Sequence, residues 1–265
     1  MENPIIAVQN LKRTYLTHIG LLNQEKKLVD ALKGIDFEVY PGEIFGLLGP
    51  NGAGKTTTIK ILTTLLAPSS GQAKVFGFKA FGEEKKIRPR INFIFGGERS
   101  LYWRLSGLDN LKYFADIYKI PRKKQPELID ALLKEVGLYD VRKQKVETYS
   151  KGMKQKLQIA RALLNDPEII FLDEPSIGLD PVAARTLKNM IRALSEKGKT
   201  VLLTTHYMQE AEELCHRIAV INHGQIIALD TVEGLKNRVR NELNSSQMPN
   251  LEDAYIHLIS EPNIA

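Results

Sequence analysis

The octapeptide Gly49-Pro50-Asn51-Gly52-Ala53-Gly54-Lys55-Thr56 constrains this chain more than any other stretch. It has the form G-x-x-x-x-G-K-T, follows the apolar run 44–48 and precedes the helix-like run 57–62. Strand, tight loop and helix in that order is the setting in which such a sequence cradles phosphate. The glycines let the backbone curl until successive N–H groups point inward. The helix that follows adds the positive end of its dipole. Lys55 is placed to reach β- and γ-phosphates, the Thr56 hydroxyl to ligate Mg2+, and Thr57 completes the expected nucleotide-binding set. An ordinary Gly-rich turn has no reason to fill all four fixed positions in this context. The implied ligand is a nucleoside triphosphate.

The remaining composition sets bounds. At 265 residues, 43% hydrophobic and 26% charged, the chain has material for one large domain or two small ones. A net charge of +6 permits an acidic partner without arguing for one, and clusters such as Lys85-Lys86 and Arg122-Lys123-Lys124 read as solvated faces. No nucleic acid is expected. The single cysteine, Cys215, excludes an internal disulfide and suits a reducing compartment. No run approaches the ~18 apolar residues of a membrane-spanning helix. The start, Met1-Glu2-Asn3-Pro4, lacks the basic and apolar regions of a secretion signal.

Along the chain, Ile35, Phe37 and Val39 alternate with polar residues, Pro41-Gly42 turns, and 44–48 reads as a buried strand. Pro68-Ser69-Ser70-Gly71 reads as a break, with strands resuming at Lys74 and again at 91–95. From about Leu108 to Leu164 the texture turns helical, with stripes Leu108, Leu111, Ala115 and Leu128, Leu132, Leu133, Val136, the second stopped by Gly137. Buried strands return at 169–172 and 200–205, flanking a helix from Pro181 to Lys197. A helix at 208–215 and a hairpin turning at His223-Gly224 follow. Strands alternating with helices imply a mainly parallel α/β sheet carrying a helical insertion.

Asp173-Glu174 closes the strand at 169–172. Ligands of open α/β sheets bind beyond the carboxyl ends of strands, which puts this pair beside the phosphate loop. Asp173 is suited to holding Mg2+, usually through water, and Glu174 to taking a proton from an attacking water.

Taken with these, the chain resembles the ATP-binding subunit of an ABC transporter over roughly residues 5–235. Tyr15 matches the aromatic that stacks on adenine. Ser150-Lys151-Gly152-Met153, after Tyr149, matches the family signature. Ser176 to Asp180 matches the loop after the Walker B strand, and His206 after Thr204-Thr205 the switch histidine. The resemblance implies a P-loop NTPase fold with a RecA-like parallel core, an antiparallel β subdomain and a helical insertion at about 98–165. It implies ATP and Mg2+ as cofactors, with hydrolysis by Glu174 and His206. A second subunit (a homodimer is expected) would lay its Ser150-led helix on the γ-phosphate, with Asp180 organising that interface. It further implies an integral membrane permease as partner, and residence in the cytoplasm on the inner face of the membrane. The domain is expected at 1–235 and a tail at 236–265. A non-transport relative acting on ribosomes, nucleic acid or complex assembly is the alternative, disfavoured by a single domain and a short insertion.

The chain departs from the family pattern in places. No glutamine follows the strand at 91–95, where Glu98 is the candidate substitute. Lys151 and Met153 replace a usual glycine and glutamine, a variant similar to the branch exporting drugs, lipids or polysaccharides, as is the segment 251–255. Leu16 to Lys27 reads as an insert after Tyr15. Trp103, the only tryptophan, falls in the region that meets the permease; packing inside the insertion is the competing and preferred reading.

Overall fold

The computed structural model describes residues 3–19, 25–96, 101–244 and 246–260. Two sheets organise it. β1 (Ile6–Ile19) and β2 (Glu25–Val39) form a long antiparallel hairpin. β4 (Ser70–Val75) pairs with β1, and the short β5 (Phe78–Lys79) with β4, giving the order β2-β1-β4-β5. The second sheet runs β10-β9-β3-β8-β7-β6. Its strands β3 (Ile44–Leu48), β6 (Ile91–Ile94), β7 (Ile169–Asp173), β8 (Thr200–Thr205) and β9 (Arg217–Asn222) pair in parallel. Only β10 (Gln225–Thr231) joins antiparallel, through the turn at His223 (φ 45°) and Gly224 (φ 79°), both central residues having the positive φ of a type I′ hairpin.

The central strands are buried on both sides, so their alternate residues feed two different cores. Phe45 and Leu47 of β3, with Ile169 and Phe171 of β7, pack toward the antiparallel sheet, where Phe37 and Phe45 stack 5.3 Å apart. Ile44, Leu48, Ile170 and Leu172 face the opposite way, into a cluster shared with the helices. Those helices are α3 (Gly107–Ile117), α4 (Gln125–Glu135), α5 (Lys151–Leu163), α6 (Pro181–Glu196), α7 (Met208–Leu214), α8 (Val232–Glu242) and α9 (Leu251–Ser260), whereas α1 (Lys55–Leu62) and the short α2 (Glu84–Ile87) bury Ile59, Ile61, Leu62 and Ile87 in the first core. Of the stripe residues, Leu111, Ala115, Leu132, Leu133 and Val136 are buried in that second cluster, and Leu108 and Leu128 pack partly buried against it.

Local sequence explains the helix ends. Ser106 caps α3 through the Asp109 amide, and Ser150 caps α5 by accepting from Met153 N at 3.2 Å. Pro181 opens α6 and Gly198, at φ 80°, closes it. In the tail, α9 buries Leu251, Ala254, Tyr255 and Leu258 in the same cluster as α7 and α8.

Two expectations need correction. The stretch Leu16 to Lys27 is not an insert: through Leu16↔Leu28 and Thr17↔Lys27 it continues the β1–β2 ladder, its tip lying outside the described residues. The break at residues 68–71 is shorter than its turn residues suggest, because β4 already starts at Ser70. There β1 bulges at Asn10 (φ 45°), and a side chain on Gly71 would sit 2.0 Å from the Asn10 carbonyl oxygen. Glycine at 71 is therefore a close-approach residue within a strand.

Candidate nucleotide site

β3 delivers the phosphate loop to the carboxyl edge of the parallel sheet. Gly49 N donates to Thr205 O, and a Cβ at Gly49 would lie 2.2 Å from the Ile221 carbonyl oxygen. Gly52 and Gly54 take φ of 82° and 113°, values that cost L-residues strain. The turn is closed by Ala53 N donating to Pro50 O, and Gly224 N donates to Ala53 O. Asn51, Gly52, Gly54, Lys55, Thr56, Thr57, Ala31 and Glu174 line a hollow of about 260 Å³. α1 begins there at Lys55 with no side-chain cap and no acidic residue in its first turn. Its leading N–H groups and dipole thus face the hollow with no acidic side chain of the helix's own first turn to compete for them. This is a cradle that a polyphosphate fits.

The lysine is buried, and its ammonium donates to Gly49 O (2.7 Å) and Pro50 O (3.1 Å). It also lies 3.4 Å from Glu174 Oε1. Thr56 Oγ1 donates to Asp173 Oδ2 at 2.9 Å. The donor set at the loop is therefore one hydroxyl and one carboxylate, and among the described residues no cluster of three or more His, Cys, Asp or Glu could hold a metal. That fits Mg2+, which takes one or two protein oxygens and fills the rest of its octahedron with phosphate and water. Tyr15, on β1 opposite Val29, reaches the same mouth: its hydroxyl is 3.4 Å from Thr57 Oγ1, with the Arg13 guanidinium 4.8 Å above its ring.

Glu174 is held by its backbone. Its φ is 49°, unusual for a non-glycine residue, and its N–H donates to both the carbonyl and the hydroxyl of Thr204, at 3.0 and 3.1 Å. The carboxyl then stands 3.3 Å from His206 Nδ1, within ion-pairing distance though not aligned as a hydrogen bond. His206 follows the end of β8, with its ring 4.1 Å from that of Tyr207. Lys55, Asp173, Glu174 and His206, far apart in sequence, converge because β3, β7 and β8 are adjacent and parallel.

Thr204 went unassigned in the sequence although it does two jobs. Fully buried, its hydroxyl donates to Asp173 Oδ1 at 2.5 Å while accepting the Glu174 amide. The only sequence signal was a threonine pair inside an otherwise apolar strand.

The signature residues form a separate group. Ser150 caps α5, Gly152 abuts Ala183 of α6 (a Cβ would be 2.8 Å from Ala183 Cβ), Met153 packs half-buried, and the Lys151 ammonium rests over Gly178. Asp180 caps α6, accepting from Val182 N and Ala183 N. Among the described residues no hydrogen bond or ion pair joins Ser150, Gly152 or Met153 to the phosphate loop. Glu98 lies outside the described residues; Gly96, the last described residue before it, packs against the Asp173 carbonyl.

Trp103 is not core. It is 45% exposed with the Lys154 ammonium 4.5 Å over its ring; its chain neighbour Tyr102 is exposed too and meets exposed Tyr113 edge-on, 4.7 Å between ring centres. The space inside the helical segment is already filled by leucines and isoleucines, which leaves the larger ring outside.

The fold and the loop define a P-loop ATPase cassette. The ABC transporter family profile matches residues 32–177. The ABC transporter ATP-binding protein NatA of Bacillus subtilis (strain 168) is 38% identical over 82% of this chain and 89% of its own length. The fluoroquinolones export ATP-binding protein of Mycobacterium tuberculosis (strain ATCC 25618 / H37Rv) is 45% identical over 78% of this chain and 67% of its own. A solved dimeric post-hydrolysis state of an ATP-binding cassette, bound to ADP and Pi, superposes with a TM-score of 0.74, covering 85% of this chain and 98% of that one at 27% identity. The chain belongs to the ABC transporter family as an ATP-binding, ATP-hydrolysing subunit.

Proposed function

We propose that this subunit powers export through a separate integral membrane permease, pairing with a second copy of itself around two ATP molecules. The observation that carries the mechanism is the position of Glu174, 3.4 Å from Lys55 and 3.3 Å from His206 at the mouth of the phosphate cradle. Lys55 exchanges its loop carbonyls for phosphate oxygens and neutralises their charge. Thr56 and Asp173 hold Mg2+, which adds further charge neutralisation at the phosphates. Glu174 takes the proton of the attacking water, and His206 orients the γ-phosphate. Tyr15 supplies a face for the adenine.

Ser150, Lys151, Gly152 and Met153 stand apart from the chain's own loop, which supports their acting on the partner's nucleotide, with Asp180 alongside. Ser150 aims the start of α5 at the γ-phosphate across the interface. Trp103 and its exposed aromatic neighbours, with Glu98 nearby in sequence, form the surface offered to the permease. Among the described residues no helix is long and apolar enough to cross a membrane, so residence at the inner face follows from the partner. The relative named for fluoroquinolone export favours outward transport.

The test is Glu174→Gln. It slows hydrolysis about 10²–10⁴-fold and yields a dimer on size-exclusion chromatography only when ATP is present. Wild-type turnover would remove Glu174 from its role. Copurification of an integral membrane subunit, lost in Trp103→Ala, tests the partner.

A further inference from the structure

One buried carboxyl near the site is left unused by this mechanism. Glu210, in the first turn of α7, is 4% exposed, and neither of its oxygens has an aligned hydrogen-bond partner. It borders a cavity shared with Ser176, Leu179, Lys188, His206 and Glu252. Among the described residues no cation pairs with it: the Lys188 ammonium is 2.5 Å from Glu213 instead. Burial raises the Glu210 pKa, and the Thr205 and Ser176 hydroxyls, followed by the charges of Lys188 and His206, only partly pull it back.

The two hydroxyls are informative because of what they adjoin. Thr205 immediately precedes His206, and its Oγ1 accepts from Tyr207 N at 3.0 Å. With that lone pair occupied, the hydroxyl proton is free to point toward Glu210. Ser176 lies two residues beyond Glu174, in the loop leading to Asp180. A single buried carboxyl therefore borders one cavity together with the switch histidine and with Ser176 of the loop that follows the general base.

We propose that Glu210 is a positioning residue for ATP hydrolysis: buried at the cavity that Ser176 and His206 also line, its carboxyl engages the Ser176 and Thr205 hydroxyls as the site closes and so fixes His206 and the Glu174 loop in one arrangement. It touches no nucleotide and acts through those two segments. Ordering catalytic groups to within about an ångström is worth up to roughly 10²-fold in rate, so its loss should appear in kcat rather than in ATP affinity. The proposal rests on the roles assigned above to Glu174 and His206.

The experiment uses the full chain with Glu210→Gln, His206→Ala and the double variant. ATP hydrolysis is measured together with the affinity for a fluorescent ATP analogue. Glu210→Gln should bind the analogue as wild type does, keep KM, and lose about 10–100-fold in kcat. The double variant should lose less than the product of the two single losses, because part of the Glu210 effect passes through His206. Wild-type kcat in Glu210→Gln beside an impaired His206→Ala overturns the proposal alone, as do losses that simply multiply. Wild-type turnover in His206→Ala sinks the reading beneath it. Should Glu210→Gln fold poorly, Ser176→Ala and Thr205→Val serve in its place; a purely structural role for Glu210 would leave both with wild-type kcat.

Discussion

Removing the Thr204 hydroxyl tests how the carboxyl edge of the sheet is wired. In Thr204→Val the shape is kept, but Asp173 loses the partner held at 2.5 Å on Oδ1 while retaining Thr56 on Oδ2. The Glu174 amide loses one acceptor and keeps the Thr204 carbonyl at 3.0 Å. The net loss is thus one hydrogen bond to a buried carboxylate, about 1.5–3 kcal/mol. Unfolding entropy near 2.1 cal/mol/K per residue, taken over 265 residues, converts this to a fall in Tm of about 3–5 °C. The assay is urea unfolding with a parallel thermal melt, alongside the Mg2+ concentration that half-activates hydrolysis, which should rise because Asp173 is no longer held from both sides. Thr204→Ser, which keeps the hydroxyl, should restore most of the Mg2+ response. If Thr204→Val melts with wild type and responds to Mg2+ identically, the hydroxyl is not what orients Asp173.

Gly49→Ala should cost about 1–3 kcal/mol and weaken nucleotide binding, since its methyl would meet the Ile221 carbonyl at 2.2 Å; a melt and a fluorescent-nucleotide titration read both. Trp103→Ala should leave the isolated subunit's melting point unchanged, because the ring is 45% exposed, yet reduce recovery with the permease; loss of soluble protein would refute the surface assignment. Arg90→Ala tests a pH-dependent contribution. The Glu168 pKa is lowered chiefly by its hydrogen bond to Arg90, so the pair's stabilisation is present above the ordinary 4.5 and lost as pH falls through the depressed folded value. The stability difference between wild type and variant should therefore shrink in acid; a constant difference would show that the pair does not titrate.

Strands and helices with one buried partner surface were readable from the chain. Alternation at Ile35, Phe37 and Val39, and the apolar runs of β3, β7 and β8, reflect burial that the sequence must encode residue by residue. The β1–β2 extension was not readable for the opposite reason. Leu16 and Leu28 are 56% and 69% exposed, so no buried face imposed a pattern on that ladder. Trp103 misled because residue type favours burial, whereas the volume inside the helical segment had already been taken by smaller side chains. Glu98 stays outside the described residues.

By itself the sequence determined the phosphate cradle, since Gly49, Gly52 and Gly54 are required by local backbone conformation or close approach, and Ser150 and Asp180 as caps, since capping is decided within three residues. Tertiary structure alone decided that Thr204 bridges Asp173 and Glu174, that Glu174 stands between Lys55 and His206, and that Glu210 borders one cavity with His206 and Ser176. Such contacts join residues that are 30 or more positions apart in some cases and meet only because parallel strands end at one edge. A linear pattern carries the preferences of each segment, but not the neighbour that another segment will bring to it.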